Sequence, residues 1–353
     1  MRVEKWINIG KAMAIIAVIT NHTYGSLYTN ASTLYLSFFS VSLFVLLTGV
    51  TTYWSYDNSE NRIGSKVVRR ILGMACPYVV ATIGYSMLAA KEVNLEGILS
   101  HIVFFNASAP FYFVLLYLQL LLITPVIFLF IKLTDKFNSV KRIMIRLLIG
   151  AGIILFAAAS TNYSNILGVS GGGGKLFGGT YLILLYAGML FGCRVKDTSM
   201  KKTVLGGCVF ILLTILSGVF VSKDKCAVDA YFPFGLGINP PGISLMLYAA
   251  SMMGSIYFLT KCLINTKSKI LHGLLNTLDY VGKHTLYIFL YHRMFLDYFL
   301  CKVDFGNHIW LKCVVFYCVM IGGSILIEMI CHLTWKNCVC RAYLYRKDDF
   351  ERK

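Results

Sequence analysis

The chain has 353 residues, of which 57% are hydrophobic and only 14% are charged, and its mean hydropathy is +0.69. A soluble chain typically carries about 25% charged residues, so this composition argues against a soluble enzyme and indicates a membrane protein. The net charge of +17 is divided among segments between apolar runs, which argues against a nucleic-acid-binding protein.

Ten apolar runs follow one another along the chain, each close to the roughly 20 residues that cross a bilayer as a helix. Because they are continuous rather than alternating with a period of two, they favour helices over a barrel. The sequence therefore predicts an all-α, polytopic membrane bundle of about ten transmembrane helices. We predict a single integral membrane domain over residues 1–335 and a basic cytoplasmic tail over residues 336–353. The predicted spans cover residues 7–24, 34–54, 67–90, 111–131, 143–160, 177–193, 203–221, 241–260, 280–300 and 309–332.

Lysine and arginine residues lie mostly on one side of this predicted bundle. Of the 33, 24 fall before the first span, in alternate loops and the span ends next to them, and in the tail. Another 6 fall in or next to the other loops, and Lys11, Lys283 and Arg293 fall inside spans. Positively charged loops face the cytoplasm. The distribution therefore predicts a multi-pass protein of the cytoplasmic membrane with both termini in the cytoplasm.

Lys11 and His22 lie eleven residues apart in the first predicted span. On an α-helix this separation is about three turns, so the two side chains share a face and lie roughly 16 Å apart. Lys11 could simply extend to the headgroups, and His22 could be an interfacial histidine with its hydrogen bonds satisfied. Polar groups at these depths also indicate function. A neutral His22 suits a general base that takes a proton from a hydroxyl, and Lys11 could hold an anionic group from the cytoplasm.

Two later spans carry further polar residues. Arg69 and Arg70 open the third span at its cytoplasmic side, either as ordinary positive-inside residues or as a pair that binds phosphate. In the ninth span, Arg293 and Asp297 are four residues apart and predict a structural ion pair. His292 has no obvious local partner, so a functional and a structural role are both open.

The eleven cysteines do not predict a disulfide framework, because most fall in helices or at cytoplasmic ends. Cys338 and Cys340 supply too few ligands for a structural zinc site. The residues therefore predict reduced thiols, no metal site and no bound cofactor.

Four segments in chain order resemble the membrane acyltransferase 3 family, which contains polysaccharide O-acetyltransferases. The first runs from Lys11 to His22, where the family has Arg, ten residues and then His, so this chain carries Lys in place of Arg. The second covers residues 38–49 and is similar to the family's VPLFFFLSG stretch, with Thr48 for the usual Ser.

The other two segments lie in the third and ninth predicted spans. Residues 69–78 resemble an Arg-Arg-x-x-Arg stretch that ends in Pro-Tyr, although Gly73 stands where the family has its last Arg. Residues 281–292 are similar to the family's LGxxSLxIYLLH stretch and end at His292. Together the four segments extend the resemblance over most of the chain.

The resemblance implies a ten-helix enzyme that transfers an acyl group from a cytoplasmic acyl-CoA, usually acetyl-CoA, to a hydroxyl of a cell-surface or exported glycan. Acyl-CoA, the glycan, the lipid bilayer and other proteins of envelope biosynthesis are the partners that it implies. His22 would be the catalytic base, and Lys11, Arg69 and Arg70 would bind acyl-CoA. His292 would be a catalytic or substrate-positioning residue.

The expected mechanism is direct transfer, in which the acceptor alkoxide attacks the thioester, and a covalent acyl-histidine is a variant. Two other functions stay open. Intramembrane His, Lys and Arg also fit a transporter or flippase for a lipid-linked sugar or small solute, although the inverted repeats and paired broken helices of many transporters are not visible. A non-catalytic partner in an envelope complex would tolerate replacement of Lys11 and His22.

Overall fold

The computed structural model of the chain describes residues 4–58, 62–89, 94–195, 200–223, 237–303, 305–306 and 308–351, without the side chains of residues 200–203 and 334–351. Regular structure in these ranges is helical, apart from one isolated bridge between Tyr24 and Tyr28. The predicted all-α class is therefore confirmed. The backbone of the predicted tail, residues 336–353, is part of the last helix as far as Glu351. The side chains of the tail lie outside the described part.

Thirteen α-helices follow one another in the described ranges. In chain order they are α1 (Lys5–His22), α2 (Ala31–Ser37), α3 (Phe39–Asp57), α4 (Ile63–Ala89), α5 (Leu95–Phe104), α6 (Tyr112–Leu133), α7 (Ser139–Tyr163), α8 (Tyr181–Arg194), α9 (Met200–Ser222), α10 (Ile243–Leu263), α11 (Lys269–Lys283), α12 (Thr285–Tyr298) and α13 (Ile309–Glu351).

Seven helical segments of the described chain are long and apolar enough to cross a membrane. Three predicted spans are not among them. The run at 7–24 forms α1, whose 18 residues include two lysines, and the run at 177–193 forms α8, which has only 14 residues. The run at 280–300 is divided between the end of α11 and the 14-residue α12. The count of about ten spans therefore stays a prediction. The seven are Ala31–Asp57, Ile63–Leu88, Ala109–Lys136, Ser139–Tyr163, Val204–Ser222, Ile243–Leu263 and Ile309–Leu333.

The core of the bundle surrounds α3, which packs against α1, α8 and α10. Glycines allow α3 and α8 to approach until their backbones touch. A Cβ atom at Gly49 of α3 would collide with the carbonyl oxygen of Leu185, and one at Gly188 of α8 with that of Leu46. Small residues serve the same purpose in other membrane helix pairs, where close packing replaces the hydrophobic effect as the source of association.

The amphipathic helix α11 lies against the N-terminal half of α1. Its residues Asn276, Asp279 and Lys283 recur at spacings of three and four and therefore share a face. Lys5 Nζ donates to Asn276 Oδ1 at 2.7 Å, and Asn8 Nδ2 donates to Asp279 Oδ1 at 2.8 Å. A Cβ atom at Gly282 would collide with the backbone of Asn8, so this glycine permits the close approach. The polar face of α11 thus meets the start of α1.

Helix α12 follows α11 after a single residue and packs against α1, α4 and α13. That residue, His284, lies with its Nδ1 atom 2.8 Å from Glu328 Oε2 of α13, so the junction is tied to the last helix. Because α12 contacts α1 directly, the polar residues of both helices meet inside the bundle.

Candidate functional site

Three cavities follow one another along α1, and neighbouring cavities share a lining residue. The N-terminal cavity, of about 690 Å³, lies between α1 and α11. The middle cavity, of about 200 Å³, lies between α1, α3, α4, α6 and α12. The histidine cavity, of about 260 Å³, lies at the C-terminal end of α1. Lys11 lines the first two cavities, and Phe289 of α12 lines the second and third.

The N-terminal cavity is polar and rich in lysine. Lys5, Lys11 and Lys283 line it, together with Glu4 and Asp279. Burial alone would raise the pKa of the Asp279 carboxyl, but hydrogen bonds from Lys283 and from Asn8 outweigh it and hold that pKa below its usual value. The lysines therefore share their cavity with an ionised Asp279 carboxylate, which pairs with Lys283.

The middle cavity brings together two of the predicted cation sites. Lys11 is partly buried, and its Nζ atom makes no hydrogen bond or ion pair to any side chain that the structure describes. Arg70 of α4 lines the same cavity, donates to Thr52 Oγ1, and lies with its guanidinium carbon 5.9 Å from the ring centroid of Tyr56. Lys11 and Arg70 are two basic side chains in a cavity with no acidic residue among its described lining residues, so this cavity favours an anion.

Arg69 and Gly73 have different surroundings from Arg70. Arg69 is exposed and lines none of the three cavities, so the structure does not bring it to the predicted site. Gly73 does line the middle cavity, and a Cβ atom there would meet no atom within 4 Å. The position at which the family carries a further arginine is therefore open space beside Lys11 and Arg70.

The histidine cavity contains His22, the last residue of α1. Its ring centroid lies 5.2 Å from that of His292 on α12, so the two predicted histidines are neighbours. Arg293 Nη1 lies 3.4 Å from His22 Nδ1, while Arg293 Nε donates to Asp297 Oδ2 at 2.7 Å. The predicted Arg293–Asp297 pair is confirmed. The contact of Arg293 with His22 was not predicted, although its position next to His292 in the sequence was a signal.

Donor chemistry assigns the protons of the two rings. Arginine can only donate, so His22 Nδ1 accepts from Arg293, and a neutral His22 ring carries its proton on Nε2. Backbone carbonyls can only accept, so His292 Nδ1 donates to the carbonyls of Ile288 and Phe289, at 3.0 and 2.8 Å. His292 Nε2 is then unprotonated, and it is buried with no hydrogen-bond partner among the described residues. An unpaired basic nitrogen at a fully buried position is a candidate proton acceptor.

Sequence reasoning also missed Phe289, Lys5 and the polar face of α11. Phe289 is apolar, Lys5 precedes the first predicted span, and Asn276 and Asp279 precede the ninth. Their proximity to the site comes from contacts between residues far apart in the chain. Among the described side chains, no group of three or more His, Cys, Asp or Glu residues could hold a metal ion.

A family model described as an acyltransferase domain matches residues 4–329. The match begins at the start of α1 and continues into α13, so it contains the three cavities and all five predicted site residues. No curated protein and no solved structure matches the chain.

Proposed function

Since the chain belongs to the membrane acyltransferase 3 family, we propose that it is an integral membrane O-acyltransferase. It moves an acyl group, acetyl in the simplest case, from acyl-CoA to a hydroxyl of a cell-surface or exported glycan. The observation that carries this proposal is the series of three cavities along α1, which leads from a lysine-rich end to His22 and its neighbour His292. Donor and acceptor could enter from opposite ends of such a series and meet within it.

The orientation follows from charge. Because 24 of the 33 Lys and Arg residues lie on the side of the N-terminus, we propose that both termini lie in the cytoplasm. Helices α1, α8 and α12 complete a ten-helix bundle in the cytoplasmic membrane. The N-terminal cavity then opens towards the cytoplasm, and the histidine cavity lies towards the outer side.

Acyl-CoA enters at the N-terminal cavity. Its phosphates meet Lys5 and Lys283, and its pantetheine arm passes Lys11 into the middle cavity, where Arg70 adds a second positive charge. Lysine and arginine bind phosphate through charge-assisted hydrogen bonds, which are about twice as strong as neutral ones. Arg69, being exposed at the same end of α4, contacts the donor only outside the cavities.

The acceptor hydroxyl occupies the histidine cavity and transfers its proton to His22. The acceptor oxygen then attacks the thioester carbonyl, the carbon–sulfur bond breaks, and the departing CoA thiolate takes up the proton. In the described arrangement, the lone pair of His22 Nδ1 is occupied by Arg293. His22 therefore acts as a base at Nδ1 only when Arg293 withdraws, and Asp297 already provides an alternative partner for that arginine.

His292 is the second candidate for the base, because its Nε2 atom carries a free lone pair beside His22. The pair is therefore the chemical centre of the proposal, and the division of roles within it is open to mutation. A general base of this kind contributes typically 10²–10⁴-fold to the rate.

The direct test supplies labelled acetyl-CoA to inverted membrane vesicles that contain the native glycan. We expect label in the glycan with the wild type and near-complete loss with His22→Ala. His308→Ala is the matched control, because His308 is exposed and lines none of the three cavities. Equal labelling by wild type and His22→Ala would remove His22 from the mechanism. Absence of labelling from every acyl-CoA, together with solute uptake, would favour the transporter alternative.

A further inference from the structure

Phe289 separates the middle cavity from the histidine cavity. It is only 5% exposed, yet it lines both cavities. Its ring centroid lies 5.0 Å from that of Phe113 on α6, which also lines the middle cavity. Phe289, in contact with Phe113, thus lies between the cavity of Lys11 and the cavity of His22.

The position of Phe289 is coupled to the histidines through α12. Its backbone carbonyl accepts the hydrogen bond from His292 Nδ1, and its ring centroid lies 6.2 Å from that of His292. Phe289 therefore lies within one helical turn of His292, one member of the histidine pair. A thioester carbonyl that approaches His22 from the middle cavity must do so beside this ring.

Cavity size adds a second constraint. The middle cavity measures about 200 Å³, below the roughly 300–1,000 Å³ of typical small-molecule sites. This space accommodates a narrow arm with a short acyl group, and the apolar rings of Phe44, Phe113 and Phe289 bound it.

Resting on the function proposed above, we propose that the side chain of Phe289, packed against Phe113, is a partition between the middle cavity and the histidine cavity. This partition determines which acyl donor the transferase accepts. It limits the donor to short acyl groups, and it keeps water of the histidine cavity away from the thioester until an acceptor hydroxyl is in place. Water that reached the thioester would attack its carbonyl carbon, break the carbon–sulfur bond and release free acid and CoA, so a leaky partition produces hydrolysis without transfer.

The test compares Phe289→Leu, Phe289→Ala and Phe289→Trp with wild type in purified, reconstituted protein. Two quantities are measured: release of free CoA thiol without acceptor, and transfer from acetyl-CoA against butyryl-CoA. Phe316→Leu is the matched control, because Phe316 is fully buried on α13 and lines none of the three cavities. Phe289→Leu keeps the test valid if Phe289→Ala does not insert.

We expect Phe289→Leu and Phe289→Ala to raise the ratio of hydrolysis to transfer. They should also raise kcat/KM for butyryl-CoA relative to acetyl-CoA by roughly tenfold or more, the discrimination that a hydrophobic pocket gives per methylene. Phe289→Trp should lower transfer without raising hydrolysis. Phe289 variants that insert into the membrane but show the same hydrolysis-to-transfer ratio and the same acyl preference as Phe316→Leu would refute the partition. The proposed transferase function would be unaffected by that result. If wild type transfers no acyl group, the proposed function itself fails.

Discussion

Replacement of Lys11 tests the donor path most informatively. Lys11 lines both the N-terminal and the middle cavity, and its Nζ atom has no hydrogen-bond or ion-pair partner among the described side chains. Lys11→Met therefore removes a partly buried basic group next to Arg70 without leaving another described side chain unpaired. We expect insertion and thermal stability to be no lower than in wild type, so any loss of activity is attributable to binding.

The size of the effect follows from the bond that is lost. A hydrogen bond to a charged group contributes about 1.5–3 kcal/mol, which corresponds to roughly a 10- to 150-fold increase in the KM for acyl-CoA. Lys11→Arg keeps the charge and the family's usual residue, and we expect it to retain activity. Steady-state transfer at varied acetyl-CoA concentrations measures this KM. Lys312→Met is the control, because Lys312 lines none of the three cavities.

An unchanged KM in inserted Lys11→Met protein would refute the anion-holding role of Lys11. A similar rise in Lys312→Met would assign the effect to overall charge rather than to the cavity. A lower Tm for Lys11→Met would contradict the inference that Lys11 is unpaired in the resting protein.

Three further predictions concern residues around the same path. Arg70→Ala should raise the donor KM roughly tenfold or more, whereas Arg69→Ala, at an exposed position, should change it within about twofold; equal effects would contradict the assignment of Arg70 alone to the cavity. Gly73→Arg places a third cation in open space and should lower the donor KM, by up to about fivefold; a higher KM would mean that the side chain blocks the cavity. Arg293→Met frees the lone pair of His22 Nδ1 and should raise kcat, by up to about tenfold within the factor that a general base supplies, without changing the donor KM; a lower kcat would contradict the assignment of His22 Nδ1 as the base.

Helix α1 shows what the sequence could establish. Two polar residues eleven apart in an apolar run predict one helix face, and the structure places both on α1, each lining a cavity in the same series. The helical period is a local property, so sequence spacing determines it. The neighbours of these residues are not local. Arg293 reaches His22 across 271 residues of chain, and only tertiary packing brings them together.

Helix α11 shows where hydropathy fails. The stretch from Lys269 to Asp279 was predicted as part of a loop, because no apolar run marks it. Yet Ser268 caps the helix by accepting from Leu271 N, and polar residues recur along one face at helical spacing. An amphipathic helix carries this pattern without being apolar enough to span. This stretch supplies Asn276 and Asp279 to the N-terminal cavity, so missing the helix meant missing that part of the site.

Seven helical segments of the described chain are long and apolar enough to cross a membrane, so three of the ten predicted spans stay predictions. Counting apolar runs treats each as a continuous helix, but His284 interrupts the run at 280–300 and divides it between α11 and α12. A helix break is a change in backbone conformation, and the apolar composition of a segment does not predict it. The break places Thr285 and Phe289 on a separate helix that lines the middle cavity.

In the proposed reaction, the acyl group passes from a donor on one side of the membrane to an acceptor on the other. The most direct measurement uses sealed vesicles of known orientation, with labelled acetyl-CoA confined to one side and the glycan accessible only on the other. We expect label in the glycan only when acetyl-CoA is on the cytoplasmic side. Transfer with acetyl-CoA on the outer side, or label only in acceptors on the same side as the donor, would contradict it.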